Sequence, residues 1–447
     1  MLTWFRKKMK TIMIVVAVVF AGSMFYGLGY QGLKGGESGS SKVLAKVNGR
    51  EIDPMRYQEL VNRVAQNFGT NLSPSDMAMV DNLALGQTID FTLMKQAAEK
   101  KVKVSGAEID AALNSVMQQQ KIPSKKELEN ALKRIGLSLG QFRDFIKGDI
   151  LVQKLQTKMQ EEIRVTPDDL REVRASHILI TTEAEAKNIL QELRQGADFA
   201  ALAKKYSRDP GSAAKGGDLG YFSAGNMVEA FEKAAFALKP GETSGIIKTP
   251  FGYHILKVTD SRLRKFPGVA DKDIEAAALR EKQEKTFRRW YSEVRSQAKV
   301  EIVNPVLKGH DLRYKGQTAA AVEEYKKAIV QNPVNPYIHI YLGDTYMSMG
   351  RRDLALAEYE NAVKVEGGNP DLYIVLGRVY EGIGERTLAA DQYRKASLIA
   401  GDNKDFHAKL LKLFQNLKRP AEVAREQSEI RRLEKKERFE KELTGGK

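Results

Sequence analysis

Two short stretches, VRASHILI at residues 173–180 and YHILKV at residues 253–258, decide the fold of the middle of this 447-residue chain. Each is a run rich in branched apolar residues, and each carries a His-Ile-Leu triplet, opened by His177 in the first and by His254 in the second. Side chains alternate along a strand, so His177 shares a face with Leu179 and His254 shares one with Leu256. Between the two, residues 219–222 and 244–248 also read as strands. The intervening sequence has the signals of helices: Thr182 and Glu185 form a capping box, and Gly196 is placed to stop the helix that follows. Residues 172–260 are therefore expected to form an α+β domain with a small antiparallel sheet.

The same segment gathers the polar chemistry. Asp209 lies in a Ser-Arg-Asp-Pro-Gly loop and is followed by the turn Gly216-Gly217-Asp218-Leu219-Gly220. Met227 and Phe231 stand at helical spacing, and Thr249 sits in Lys-Thr-Pro-Phe-Gly-Tyr-His. Taken singly, each His reads as a core residue satisfied by hydrogen bonds, and Met227 and Phe231 read as plain core. No metal-ligand spacing motif joins His177, His254 and Asp209.

On the N-terminal side, residues 43–171 read as helical behind a hairpin. Asn48-Gly49 is a type I′ turn signal. Asp53-Pro54 and Ser73-Pro74 offer N-caps with Pro at the first helical position. Ser105 with Glu108, Ser124 with Glu127 and Ser138 with Gln141 each match a capping box. On the C-terminal side, residues 271–298 form a long charged helix holding Trp290. Residues 299–302 are β-like and are expected to pair with the hairpin at 43–52, which makes 172–260 an insertion into the helical domain.

Residues 303–403 repeat with a period of 34: Gly309, Gly343 and Gly377; Gly316, Gly350 and Gly384; Ala321, Ala355 and Ala389; Tyr325, Tyr359 and Tyr393. Small residues where helices meet and an aromatic at the wedge resemble the tetratricopeptide family, an α-solenoid of helix pairs. Residues 404–447 read as capping helices and a charged tail. Pro336, Tyr337, Ile340, Asp344, Met347, Asp371, Ile374 and Arg378 are expected to line the inner groove, where a protein partner is the default ligand.

Residues 11–31 carry no charge and are long enough as helix, about 30 Å, to span a bilayer core. Arg6, Lys7, Lys8 and Lys10 precede them, so residues 1–10 are expected in the cytoplasm and the bulk of the chain across the membrane. The run is longer than the 7–15 residues usual in a cleaved signal, which is the alternative reading. Residues 32–42 read as a Gly/Ser tether. The formal net charge is +15, but the segment 172–260 is balanced in charge, and part of the excess is the flank of the anchor. It reads as a topology signal and solvated helix faces, with no nucleic-acid partner. The absence of Cys excludes disulfides, thiolate metal sites, a cysteine nucleophile and a lipid-bearing N-terminal Cys.

The motifs SHIL, AKKYSRDP, GGDLGYF, FEKAAFALKPGE and GYHILKV resemble the parvulin family of peptidyl-prolyl cis-trans isomerases over the whole of 172–260. The resemblance implies an isomerase without metal or cofactor. It places His177 and His254 on the family's paired histidines, Asp209 on its Cys/Asp position and Thr249 on the residue bonded to the second His. It assigns Leu219, Met227 and Phe231 to the proline pocket, with Phe251 at the edge in place of a small residue found in some members. No Arg/Lys cluster follows the first strand, so nothing there would grip a phosphate.

Residues 44–52 (LAKVNGREI) and 104–109 (VSGAEI) resemble the N-terminal chaperone domain of SurA-type proteins. With the anchor and a single parvulin domain, the arrangement resembles the PpiD type of membrane-anchored periplasmic folding factor, from which the repeats depart. SurA-type proteins are normally soluble with two parvulin domains, and the PrsA type needs a lipid-bearing Cys. The resemblance implies a multidomain isomerase and chaperone for unfolded or newly translocated secreted and outer-membrane polypeptides. It would be held by one span in a bacterial inner membrane and face the periplasm, with the translocation machinery a candidate for the repeat groove. A non-catalytic holdase and a repeat-based assembly scaffold are the alternatives.

Overall fold

The computed structural model describes residues 43–69 and 72–444. The expected basic flank (1–10), anchor (11–31) and tether (32–42) lie outside the described residues. Among the described residues no helix is long and apolar enough to cross a membrane. The chain divides into two compact units: residues up to Gln153 with those from Gln297 onward, and residues 154–296.

The first unit begins with strands β1 (Ala45–Val47) and β2 (Arg50–Glu51). Asn48 and Gly49 between them have φ of 53° and 80°, the left-handed pair that a type I′ turn requires. Five helices follow: α1 (Pro54–Phe68), α2 (Pro74–Lys101), α3 (Gly106–Gln119), α4 (Lys125–Arg134) and α5 (Leu139–Glu162). Each start is held by the side chain expected there: Asp53, Ser73, Ser105 and Ser124 accept backbone N–H bonds, and so does Ser138 opposite Gln141. Ile109, Leu113, Leu128, Leu132, Phe142 and Phe145 close α3, α4 and the start of α5 over one core. Arg56 on α1 is buried against the rings of Phe91 and Phe145. Its charge is answered by Glu59 and Asp149 at 3.2 and 2.5 Å.

The second unit follows a turn at Pro167–Leu170 with β3 (Arg171–Ile180), α6 (Glu183–Arg194), α7 (Phe199–Tyr206), β4 (Asp218–Ser223), α8 (Glu229–Ala237), β5 (Ile247–Thr249), β6 (Gly252–Leu263) and α9 (Ile274–Ser296). Its strands form an antiparallel sheet in the order β4-β3-β6-β5. One face buries Val173, Ala175, Phe222, Phe236, Leu256 and Val258, and the other buries Ile178, Ile180, Ile189, Phe199, Leu202 and Ile255. Two local expectations are corrected. The strand expected at 244–248 is β5 and starts only at Ile247, because Ser244 bonds Leu256 through its side chain as well as its backbone. Met227 is not on a helix: α8 begins at Glu229, and the Glu232 carboxylate takes the N–H groups of Gly225 and Met227 in the loop before it.

The chain returns to the first unit through β7 (Val300–Ile302), which pairs antiparallel with β1, Ala45 opposite Ile302. Helix pairs follow: α10 (Pro305–Tyr314) and α11 (Thr318–Gln331), α12 (Pro336–Ser348) and α13 (Arg352–Val365), α14 (Pro370–Gly382) and α15 (Arg386–Ile399), then α16 (Lys404–Asn416) and α17 (Pro420–Thr444). The two glycine columns have different physical causes. Gly309, Gly343 and Gly377 lie under the rings of Tyr325, Tyr359 and Tyr393, where a Cβ would sit 2.5, 3.1 and 2.3 Å from the ring. Gly316, Gly350 and Gly384 end the first helix of each pair at φ of 77°, 74° and 92°, which glycine adopts without steric penalty.

The groove prediction is corrected at four residues, of which Pro336 is buried at the start of α12. Ile340 and Ile374 are buried in the core between repeats and do not line a groove. Asp344 is not open to a ligand, because it accepts hydrogen bonds from Ser75 on α2 and from Tyr359.

Gly377→Ala is expected to destabilise the first unit by about 1–3 kcal/mol, since the Tyr393 ring cannot move without opening the repeat core. Gly382→Ala, where a Cβ would meet nothing within 4 Å, is the control and is expected to be neutral or slightly stabilising. Urea unfolding of the two variants checks this.

Candidate active site

The ten-residue pairing of β3 with β6 sets the site. His177 lies opposite Leu256 and Leu179 opposite His254, so the two histidines are diagonal neighbours on one face of the sheet. Both are buried. Their Nδ1 atoms are 3.3 Å apart and their rings are stacked, 26° from parallel, with centroids 5.4 Å apart. At one end His177 Nε2 lies 2.8 Å from Asp209 Oδ2. At the other, His254 Nε2 lies 2.7 Å from Thr249 Oγ1. The result is a continuous polar row: Asp209, His177, His254, Thr249.

Local sequence explains each position. Asp209 stands in a loop that Gly217 presses against β3. Gly217 has φ of 83°, its carbonyl accepts the His177 N–H at 2.9 Å, and a Cβ there would lie 2.3 Å from the His177 carbonyl oxygen. Only glycine permits that approach. Thr249 ends β5 and accepts the Phe251 N–H at 3.1 Å, so the turn into β6 orients the hydroxyl.

The row admits two proton orders, one for each charge on His177. Ionised Asp209 can only accept, so His177 Nε2 carries a hydrogen. With His177 neutral, its Nδ1 accepts from His254 Nδ1–H, and the Thr249 hydroxyl donates to His254 Nε2. A proton added at His177 Nδ1 reverses the row: His254 Nε2 then donates to Thr249, whose hydroxyl turns to the Gly252 carbonyl 3.5 Å away. Asp209 is held well below the usual carboxylate range, at about 2, by hydrogen bonds from Ser212, from His177 and from the Gly211 N–H. Burial, with His177 beside it, pushes His254 down to about 4, so it is neutral near pH 7.

Phe231 packs edge-on against both imidazoles, with centroids 5.7 Å from His177 and 5.4 Å from His254. Leu219 and Met227 pack into the same apolar cluster as Phe231, on the sheet face that carries the histidines. Phe251 stays 70% exposed. Sequence reasoning missed Ser212. Its side chain is 2% exposed, donates to Asp209, and lies 3.1 Å from His177 Nε2. Nothing in its spacing singles it out, and only the turn at 213–215 brings it inward. Among the described residues no group of three or more His, Asp or Glu is arranged to hold a metal ion.

Family models match residues 157–262 as a PPIC-type PPIASE domain, residues 1–156 as a SurA-like N-terminal domain, and residues 309–350 and 342–403 as tetratricopeptide repeats. The foldase protein PrsA of Geobacillus kaustophilus (strain HTA426) is 36% identical over 235 residues, 51% of this chain and 73% of that protein. PrsA of Caldanaerobacter subterraneus subsp. tengcongensis is 30% identical over 289 residues, 59% of this chain and 88% of that protein. A crystal structure of the peptidylprolyl isomerase PrsA from Bacillus anthracis aligns at 29% identity with a TM-score of 0.27, over 53% of this chain and 95% of that one. The absence of Cys sets this chain apart from the PrsA type in the sequence; the relatives it matches carry the PrsA name, and that separation is corrected.

The depressed His254 pKa has a pH signature. Below about pH 6.5 the unfolded chain protonates this His, while the folded chain resists until about pH 4. The stability of residues 154–296 is therefore expected to fall as pH drops from 6.5 to 4. His254→Gln should flatten that part of the curve. Thermal midpoints of the second unit measured across this range check the slope.

Proposed function

The chain belongs to the PrsA foldase family and carries its parvulin-type peptidyl-prolyl cis-trans isomerase domain. On that premise we propose that His177, His254, Asp209 and Thr249 are its catalytic groups and that Leu219, Met227, Phe231 and Phe251 receive the proline. The observation that carries this is the unbroken row from Asp209 to Thr249 beside the Phe231 ring.

Isomerisation breaks no bond. The barrier to rotation about the X–Pro amide is near 20 kcal/mol, and the enzyme must bind the twisted amide better than the planar one. Leu219, Met227 and Phe231 hold the pyrrolidine ring against an apolar wall, so that the amide can rotate while the ring stays fixed. The imidazoles form a rigid floor under it, because each ring nitrogen already has a partner. Asp209, ionised and a quarter exposed, faces the substrate side. A negative charge near the carbonyl disfavours the charge-separated resonance form that keeps the amide planar. About 5–6 kcal/mol of selective stabilisation corresponds to roughly 10⁴-fold.

In this reading residues 43–171, completed by 261–302, are the chaperone domain and 172–260 the isomerase. The clients are unfolded or newly translocated polypeptides, met outside the cytoplasm by a chain anchored through residues 11–31. A holdase activity has its own support in the second unit. A cleft of about 370 Å³ runs between the end of α5 and α9, where Met159, Ile163 and Phe287 lie among Gln156, Gln160 and Gln283. Arg280 and Glu284 complete the lining, and apolar walls with amide and charged groups among them suit an extended peptide of mixed sequence.

Proline-limited refolding of a client separates these activities. The intact protein is expected to accelerate it, and His177→Ala and Asp209→Ala to lose at least tenfold of that acceleration. Ser212→Ala is expected to lose less, because it acts through Asp209. Suppression of aggregation of a proline-free client should survive all three changes. Unchanged acceleration in the His177 and Asp209 variants would remove the catalytic assignment.

The anchor is tested by carbonate extraction of membranes from cells making the full chain. The protein is expected in the pellet, and release into the supernatant would remove the single-pass reading.

A further inference from the structure

Helix α2 is buried too widely for a helix with a single packed face. Met77, Ala78, Val80, Ala84, Leu85, Thr88, Ile89, Thr92 and Leu93 are all buried, and they cover more than half of its circumference. A helix that is apolar over so wide an arc needs neighbours on two sides. One neighbour is α1, where Tyr57 donates to Asp81 at 2.8 Å. The other is the repeat array: α2 also packs on α10 and α12, the first helices of the first two repeats.

The contact is built like an interior. Ala78, with no accessible surface, joins the cluster formed by Ala321, Val322, Tyr325, Ile338, Tyr341 and Leu342. Ser75 donates to Asp344, the groove position of the second repeat. Asp344 also takes the Tyr359 hydroxyl at 2.6 Å and faces Arg313 at 3.5 Å. His310 on α10 is wholly buried. Its Nδ1 is 2.8 Å from the Tyr325 hydroxyl, the edge of Tyr341 packs on its ring, and its Nε2 points toward Asp81 on α2 at 3.9 Å. A groove awaiting a peptide keeps its polar side chains in water. Here His310 is wholly buried and Asp344 and Asp81 are largely covered, with Ser75 and Asp81 of one helix of the same chain facing Asp344 and His310; separating them would bare His310, Asp81 and Ala78 together.

We propose that the ligand of the first two repeats is this chain's own α2. The array is a permanent brace of the helical unit, and a protein partner is left only the third repeat and the pair after it, where Asp371 and Arg378 remain exposed. This narrows the partner surface and does not depend on the isomerase assignment.

Hydrogen–deuterium exchange on the full chain tests it. In the unaltered protein, amides of α2 and of α12 are expected to exchange at one common, slow rate. Ala78→Arg should speed both by at least tenfold, with isomerisation of a short proline peptide unchanged. Where that variant folds poorly, Ser75→Ala, Asp344→Ala and the double variant form a milder set. Each single change should speed both helices several-fold, and the double change should add little to either. Faster exchange of α2 than of α12 in the unaltered protein would overturn the permanent brace, because it means that α2 leaves the groove on its own. Independent, multiplying effects of Ser75→Ala and Asp344→Ala, or an Ala78→Arg effect confined to α2, would overturn the proposed contact.

Discussion

The register between β3 and β6 is the constraint on which the catalytic half of the molecule depends. A one-residue slip would turn either histidine to the opposite face of the sheet, among Ile178, Ile180 and Ile255, and the row from Asp209 to Thr249 would not exist. The register is held by burial on both faces, and both ends of the row are tied to it through backbone. Gly217 clamps the Asp209 loop to His177, and the β5–β6 turn delivers Thr249 to His254. Precision in the polar row is thus a consequence of apolar packing two layers deep.

The helical unit obeys a different constraint. Its segments are far apart in sequence, yet β1 finds β7 across more than 250 residues, and α2 lies between α1 and the repeats. Repeat arrays are usually stabilised by nearest neighbours alone. Here the first two repeats also bury a helix from outside the array. The glycine–tyrosine contact at each repeat explains how the array keeps its shape: the ring occupies the space that any Cβ would fill.

Much of this was legible in the sequence, for local reasons. Caps at Asp53, Ser73, Ser105, Ser124, Ser138 and Thr182 act within three residues of themselves, so pattern and structure agree. The 34-residue period survives because each repeat solves the same packing problem. The paired histidines were visible because each strand carries its own alternation. Met227 was misread because its spacing from Phe231 mimics one helical turn, whereas the Glu232 carboxylate holds it in a loop. Ile340 and Ile374 were misread because a repeat's inner positions face either groove or core, and the neighbouring helices decide which.

The sequence by itself determined the elements, their caps, the isomerase family and the four polar groups of the row, since each rests on residues close together or on a motif carried whole. Tertiary structure alone decided three things. It brought Ser212 onto Asp209, lined the two imidazoles up between Asp209 and Thr249, and placed α2 in the repeat groove. The last two depend on atoms brought together by folding from separate elements, and the first on a local turn at 213–215 that folds Ser212 back onto its neighbour Asp209. The wide apolar band of α2 was the one local trace of its place in the groove, a surface too large for a single neighbour to cover.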